Sequence, residues 1–460
     1  MRKYLVFGGL ALLFCFRLWL AVNAKHGDMY NNLDWGYGAV EYGLNGFYEL
    51  PKPYWNHSVP NQPPGSIYLH LASVSLYTLV DQMINWSNDK IQLFPSRLVW
   101  WWPLHGELIA IKLPSMLADL AIFAAILKTG KIFNRSKASL IIGFIFLINP
   151  AMWYNSSFWG QTDPVVAALS VWSLVFLFSG RLLFSPVLLG LSFITKASWL
   201  FFVPLYGLYY LLKYPKKTYL LLAIPLTMLF VSVPFHLHLD IASWLANLYS
   251  HRILSGESAF ITVIAFNFWN LVYSPDFVPY KILFHGFPAN LVGWAIVAAI
   301  LSVLAFRLVR RVRPQNLIWL GILLSYAVFL FAPKMIHRYL YPAFPLLSLF
   351  FVFSKSKLLW LIYFILSACY IINLYYKWWA PGSLWLQSFY TDANTKIISA
   401  IYLAVFAFLL VFKPKTYPPS QKTPIARLGM NAKKFLLRRD FTTPTKHRDI
   451  NTDRQVVGCL

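Results

Sequence analysis

The chain has 460 residues, of which 58% are hydrophobic, 18% aromatic and only 12% charged, with a mean hydropathy of +0.55. These values exclude an ordinary soluble domain and read as a polytopic membrane protein. The net charge of +24 gathers at the ends of apolar segments and in the C-terminal tail, a positive-inside pattern that argues against nucleic acid as the partner.

Apolar stretches near the 20-residue spanning length predict about twelve transmembrane helices, at 4–23, 109–127, 138–154, 164–180, 182–196, 198–213, 218–235, 290–308, 316–332, 339–354, 357–374 and 396–412. The fold class expected is therefore an all-α polytopic bundle. Arg2 and Lys3 precede the first segment, whose length and Arg17 mark it as a retained anchor rather than a cleaved signal. Lys128, Lys131, Arg135 and Lys137 mark a cytoplasmic loop, as do the basic clusters at Lys213–Lys217, Arg307–Arg313 and Lys355–Lys357. Both termini come out cytoplasmic, giving a multi-pass protein of the cell membrane whose polar loops face the non-cytoplasmic side.

Ser66 to Ile84 is apolar too, yet a span there would turn the basic loop at 128–137 outward. It is expected to lie along the outer leaflet inside a large first outer loop, 24–108, with Trp100, Trp101 and Trp102 in the interfacial belt. The organisation is then an N-terminal membrane module (1–235), a second outer loop (236–289), C-terminal helices (290–412) and a basic tail (413–460) whose composition reads as a disordered, lipid-attracted segment. Cys15, Cys369 and Cys459 are scattered and odd in number, so no disulfide framework or zinc site is implied.

Polar groups in such a chain are functional hypotheses by default. Asp28 follows the first span directly; beside apolar surface its proton affinity is expected to be raised, which suits a general base acting on a hydroxyl. Asp34 and Glu41, in the same loop, read as helix-capping or solvated acids. Asn61 and Gln62 precede Pro63-Pro64 and offer amides to sugar hydroxyls. The turn from Asn149 to Pro164 carries Trp159, Gln161 and Asp163; it reads equally as a carbohydrate-stacking surface or as an interfacial aromatic belt with a capping acid. Lys196, and His337 with Arg338, lie at outer helix ends, where cations are placed to hold a lipid-linked phosphate. The second outer loop holds His251, Arg252, Glu257, Asn267 and Trp269, which read as aromatic packing or as contacts with a lipid tail or acceptor.

In this order these pieces resemble the GT-C superfamily of polytopic glycosyltransferases that use polyprenyl-phosphate sugars. The resemblance rests on Asp28 in the first outer loop, Pro63-Pro64, Lys112-Leu113-Pro114-Ser115, Gly160-Gln161-Thr162-Asp163, Thr195-Lys196, Ala265-Phe266-Asn267-Phe268-Trp269 and His337-Arg338-Tyr339-Leu340-Tyr341-Pro342. The later motifs look more narrowly like bacterial relatives of polyprenyl-phosphate-mannose-dependent and GPI-mannosyltransferase-like enzymes. Several of those read His-Glu-Arg-Tyr where this chain has His337-Arg338-Tyr339, so any role of that glutamate is missing here.

The resemblance implies a GT-C-like bundle with interfacial helices in the first outer loop, and inverting transfer of a hexose, mannose or a relative, from a polyprenyl-phosphate donor. Asp28 would be the base; Lys196, His337 and Arg338 would hold the donor phosphate; Asn61, Gln62, Trp159, Gln161, Asp163, Asn267 and Trp269 would hold sugar or acceptor. The acceptor is a hydroxyl on lipid, polysaccharide or protein. No cofactor is specified; no compact metal-ligand set is seen, which leaves a divalent cation open. A lipid-linked-sugar flippase without catalytic activity is the rival reading, although such a protein should carry ionisable groups along a through-path rather than at one face.

Overall fold

The computed structural model describes residues 2–254 and 259–417; Glu257 and nearly all of the basic tail lie outside them. Seven helices among these residues are long and apolar enough to cross a membrane: Tyr4–Val22, Ser96–Ile132, Pro215–Phe235, Ala289–Arg310, Pro314–Phe331, Lys357–Tyr375 and Asp392–Val411. An eighth is formed if the pair Ser136–Ile148 and Pro150–Trp159, bent by 53°, counts as one span. The chain is thus a helical membrane bundle. The other four segments expected to span form shorter helices, Asp163–Phe178, Phe184–Thr195, Val203–Lys213 and Ala343–Phe351. Hydropathy registers apolar length; it does not see that Gly180 turns left-handed or that Lys196 goes extended, each ending a helix early.

In chain order the N-terminal half runs α1 (Arg2–Val22), α2 (Gly27–Glu41), α3 (Pro64–Ile91), α4 (Ser96–Ile132), α5 (Ser136–Ile148), α6 (Pro150–Trp153), α7 (Asp163–Phe178) and α8 (Phe184–Thr195). The segment expected to lie along the leaflet is part of α3, a 28-residue helix that is not among those apolar enough to span. The start of α3 is locked to the end of α8: Ser66 Oγ donates to Thr195 O at 2.5 Å, and a Cβ on Gly65 would meet Ile194 O at 2.7 Å. Only glycine allows that approach.

α4 has 37 residues and so extends about 55 Å. Its outer faces are apolar, but Lys112, Ser115 and Asp119 recur at i, i+3 and i+7, which puts all three on one inward face. α1 has the same division of labour: Leu12 is 73% exposed and Arg17 is 1% exposed. Arg17 Nη1 pairs with Asp119 Oδ2 at 2.5 Å and donates to Ser156 and Ser157; Nη2 donates to Leu147 O at 3.0 Å. Tyr341 OH donates to the other Asp119 oxygen at 3.2 Å. The network joins α1, α4, the π-helical turn Tyr154–Trp159 and the segment after Arg338.

Removing one partner of such a buried pair leaves a bare charge, costing about 3–5 kcal/mol. Arg17→Leu is expected to lower the melting temperature and membrane yield, and Asp119→Leu added to it to recover most of the loss. A double variant as unstable as the single would show that the pair's charge is not the reason.

Residues 236–289, expected as a loop, carry local structure of their own, so the bundle is not purely helical. Strand β1 (Phe260–Val263) pairs antiparallel with β2 (Val278–Pro279); β3 (Leu283–Phe284) and β4 (Phe287–Pro288) form a hairpin. β1 also pairs in parallel with β5 (Met335–Ile336), in register Thr262↔Met335 and Val263↔Ile336. β5 runs directly into the 3-10 turn that begins at His337-Arg338. A sheet built from one loop thereby fixes the backbone that carries the arginine of another.

Candidate active site

Four charged side chains, each from a different segment, meet in one alternating row. Asp28 Oδ2 accepts from Arg338 Nη1 at 3.0 Å; Arg338 Nε lies 4.0 Å from Asp163 Oδ2; Asp163 Oδ1 accepts from Lys196 Nζ at 2.9 Å. Gln161 Nε2 also donates to Asp28 Oδ2, at 2.5 Å. Asp28 and Arg338 are 310 positions apart in the chain.

Local chemistry explains each placement. Asp28 is in the first turn of α2, where the helix dipole favours a carboxylate. Gly160, at φ +85°, ends the π-helical turn in a left-handed conformation that aims Gln161 at Asp28 and lets Asp163 open α7. Lys196 is the extended cap of α8, and Arg338 follows β5 in a 3-10 turn.

Burial grades the four. Asp163 is 3% exposed, whereas Asp28 is 35% exposed, which makes Asp28 the more accessible of the two acids. Burial alone would raise the Asp28 pKa, but the Arg338 guanidinium, then His26 and the Gln161 hydrogen bond, hold it below the ordinary carboxylate range. This corrects the sequence expectation of raised proton affinity: the apolar setting was legible, the cation facing it was not. His26 Nδ1 accepts from the Asp28 amide at 3.0 Å, and burial, outweighing Asp28, lowers the His26 pKa to about 4. The ring is neutral near pH 7.

The remaining expected site residues divide. Trp159 is 1% exposed and crowded by His26 (ring centroids 4.4 Å), His337 (5.0 Å, stacked) and Trp378 (5.2 Å). It builds the wall of the site and offers no open face to a sugar. His337, expected on the phosphate, is 3% exposed, and burial followed by the neighbouring Arg338 drives its pKa well below the ordinary histidine value. A neutral ring cannot supply the phosphate charge expected of it, and both its nitrogens lack hydrogen-bond partners among the described residues. Gln62 donates at 3.2 Å to Asn32, which is one helical turn along α2 from Asp28, and its Oε1 lies 3.2 Å from His70 Nε2; Asn61 lies beside it at intermediate burial.

Asn267 and Trp269 are elsewhere in function. Asn267 caps the helix Phe268–Val272 and donates to Phe329 O; Trp269 donates to Phe331 O at 3.0 Å, and both are fully buried. They pack the 236–289 segment onto the bundle: Asn267 Oδ1 accepts from both the Trp269 and Asn270 amides, which leaves only the second Nδ2 hydrogen uncommitted among the described residues. Asp34, expected to be a capping or solvated acid, is neither: it lies within α2 and is buried, accepting from Asn56 Nδ2 and the His57 amide and so tying down the 47–58 turn.

Three contributors went unassigned in the sequence. Trp378 comes from the short loop after Tyr375 and covers His26 and Trp159. Lys112 and Ser115 reach the site from α4, and their spacing with Asp119 in an apolar helix was the available signal. From Ser115 to the end of α4 at Ile132 is about 26 Å, so the charged row sits about one hydrocarbon thickness from the basic loop at 128–137.

Beside the row is an apolar cavity of about 650 Å³ between α3, α7, α8 and the 230–234 segment. Its walls include Gly65, Leu69, Val165, Leu169, Leu191 and Thr195. Thr195 immediately precedes Lys196, and Val165 is two residues past Asp163, so the cavity and the row share the same ends of α7 and α8, although no charged residue of the row lines the cavity. Among the described residues no group of three or more His, Cys, Asp or Glu side chains is arranged to hold a metal ion.

No family model matches the chain, and no curated protein matches it. Among solved structures it is similar to ArnT from Cupriavidus metallidurans bound to undecaprenyl phosphate, with a TM-score of 0.49 and 14% sequence identity, covering 89% of this chain and 76% of that one. The same protein in the apo state gives a TM-score of 0.47 and 13% identity over the same shares.

Proposed function

We propose that this protein is a GT-C-type membrane glycosyltransferase that moves a hexose, mannose or a close relative, from a polyprenyl-phosphate donor to an acceptor hydroxyl on the non-cytoplasmic face. The observation that carries the reading is the row Asp28–Arg338–Asp163–Lys196 beside an apolar cavity. It offers a base, two cations for a phosphate and room for a lipid chain within one site. The row's distance from the lysine-rich end of α4 supports the sidedness, since that end carries the cytoplasmic signature.

In this mechanism the acceptor O–H gives its proton to Asp28 as its oxygen bonds to the anomeric carbon. The bond from that carbon to the phosphate oxygen breaks, and its electron pair leaves on the lipid phosphate. One in-line displacement inverts the centre. Arg338 links the two ends of the event: as Asp28 is protonated it ceases to need the guanidinium, just as the phosphate passes from singly to doubly charged and needs it more. A preorganised cation at the leaving group is the kind of stabilisation such departure requires. Gln161 holds Asp28 and Asp163 holds Lys196, so each reactive group is oriented by a neighbour of the same turn.

The reading is tested by incubating the purified protein with polyprenyl-phosphate hexoses and membrane lipid or polysaccharide acceptors. Release of polyprenyl phosphate together with a new glycoside is expected. A protein that translocates labelled lipid-linked sugar between leaflets and forms no glycoside would instead be the flippase. Single cysteines at Asn61 and Asn134 should label from opposite sides of the membrane; labelling from one side would overturn the topology.

A further inference from the structure

We propose that Lys112 is the positioning residue of the Asp28–Gln161 pair. Its side chain is fully buried on α4, and its Nζ donates to three backbone carbonyls: Ala21 O at 2.7 Å, Ala24 O at 2.8 Å and Phe158 O at 2.8 Å. An ammonium group has three N–H donors, so every one is spent. Lys112 therefore has nothing left for a phosphate, and it is not a further anion ligand.

What it grips decides what it does. Ala21 is in the last turn of α1 and Ala24 lies just past it, leading into His26 and Asp28; Phe158 is near the end of the π-helical turn and leads into Gly160 and Gln161. The two halves of the 2.5 Å Asp28–Gln161 hydrogen bond thus hang from one nitrogen, each within a few residues of it. One helical turn along α4, Ser115 Oγ donates to Gln161 O at 2.5 Å, a second tether on the same strand of chain. The lysine stem is equally specified: a Cβ on Gly160 would lie 2.7 Å from Lys112 Cγ, so the left-handed glycine and the stem fit only each other. A side chain that merely filled space would be apolar. This one joins two segments, 46 positions or more from it, that must meet for the base to be held.

The inference rests on the transferase reading only for its kinetic readout. Lys112→Met keeps the stem and removes the donors. Its kcat is expected to fall about a hundredfold, the scale of a misplaced catalytic group, while affinity for polyprenyl phosphate alone stays within about threefold. In the Gln161→Ala background the same change should cost far less, because both act through one contact. Additive losses, or a kcat within about threefold of wild type, would overturn the assignment. Ser115→Ala, a milder change, should lower kcat in the same direction if Lys112→Met is poorly folded. Hydrogen exchange needs no substrate: segments 24–30 and 158–164 should exchange faster in Lys112→Met with the rest unchanged, whereas uniform acceleration would mean a role in overall stability only. A wild type without transfer would sink the transferase reading and leave exchange to decide the clamp.

Discussion

Asp28→Asn is expected to lower transfer about a thousandfold, within the range that a general base contributes. The amide keeps the shape and can still accept from Arg338 and Gln161, but it cannot take a proton. Affinity for polyprenyl phosphate should be kept or tightened, since Arg338 loses its anionic partner and turns to the phosphate. Turnover and binding moving in opposite directions is the signature. It is read by steady-state kinetics beside a binding titration with polyprenyl phosphate. Turnover within tenfold of wild type would remove Asp28 from the mechanism.

Arg338→Gln should act on two observables at once. A charge-assisted hydrogen bond to phosphate is worth about 1.5–3 kcal/mol, so donor affinity is expected to fall by roughly ten- to a hundredfold. Asp28 meanwhile loses the largest of the influences that lower its pKa, leaving burial to raise it. The sign follows: the base must be ionised, so wild-type activity persists into acid below the ordinary carboxylate range, and the variant loses activity at higher pH. An acid limb of kcat/KM that does not move would show that Arg338 holds phosphate without tuning the base. Lys196→Ala is the control, because Lys196 faces Asp163 at 2.9 Å and Asp28 feels it least among the neighbouring influences.

Much of the site could be read before the fold. Asp28, Gln161, Asp163, Lys196 and Arg338 stood out because polar groups at the ends of apolar helices are costly unless used, and all five meet. Asn267 and Trp269 stood out through the motif of the second outer loop, which read as packing or as acceptor contact, and they cap and pack. A polar side chain that satisfies a buried backbone looks, in sequence, like one that awaits a ligand. His337 shows the converse limit: adjacency to Arg338 suggested a shared task, but the ring turns into an aromatic stack and stays neutral.

Composition and hydropathy by themselves determined a helical membrane protein, its basic loops and the residues that carry the row of charges, because burial of apolar surface and the cost of stranded charge act locally along the chain. Pairing was decided only in three dimensions. That Arg17 finds Asp119, that Arg338 lowers the Asp28 pKa, and that Lys112 spends itself on three carbonyls each depend on helices remote in sequence packing at particular rotations. An electrostatic or hydrogen-bonding partner is set by distance and direction, and neither is written in the order of residues.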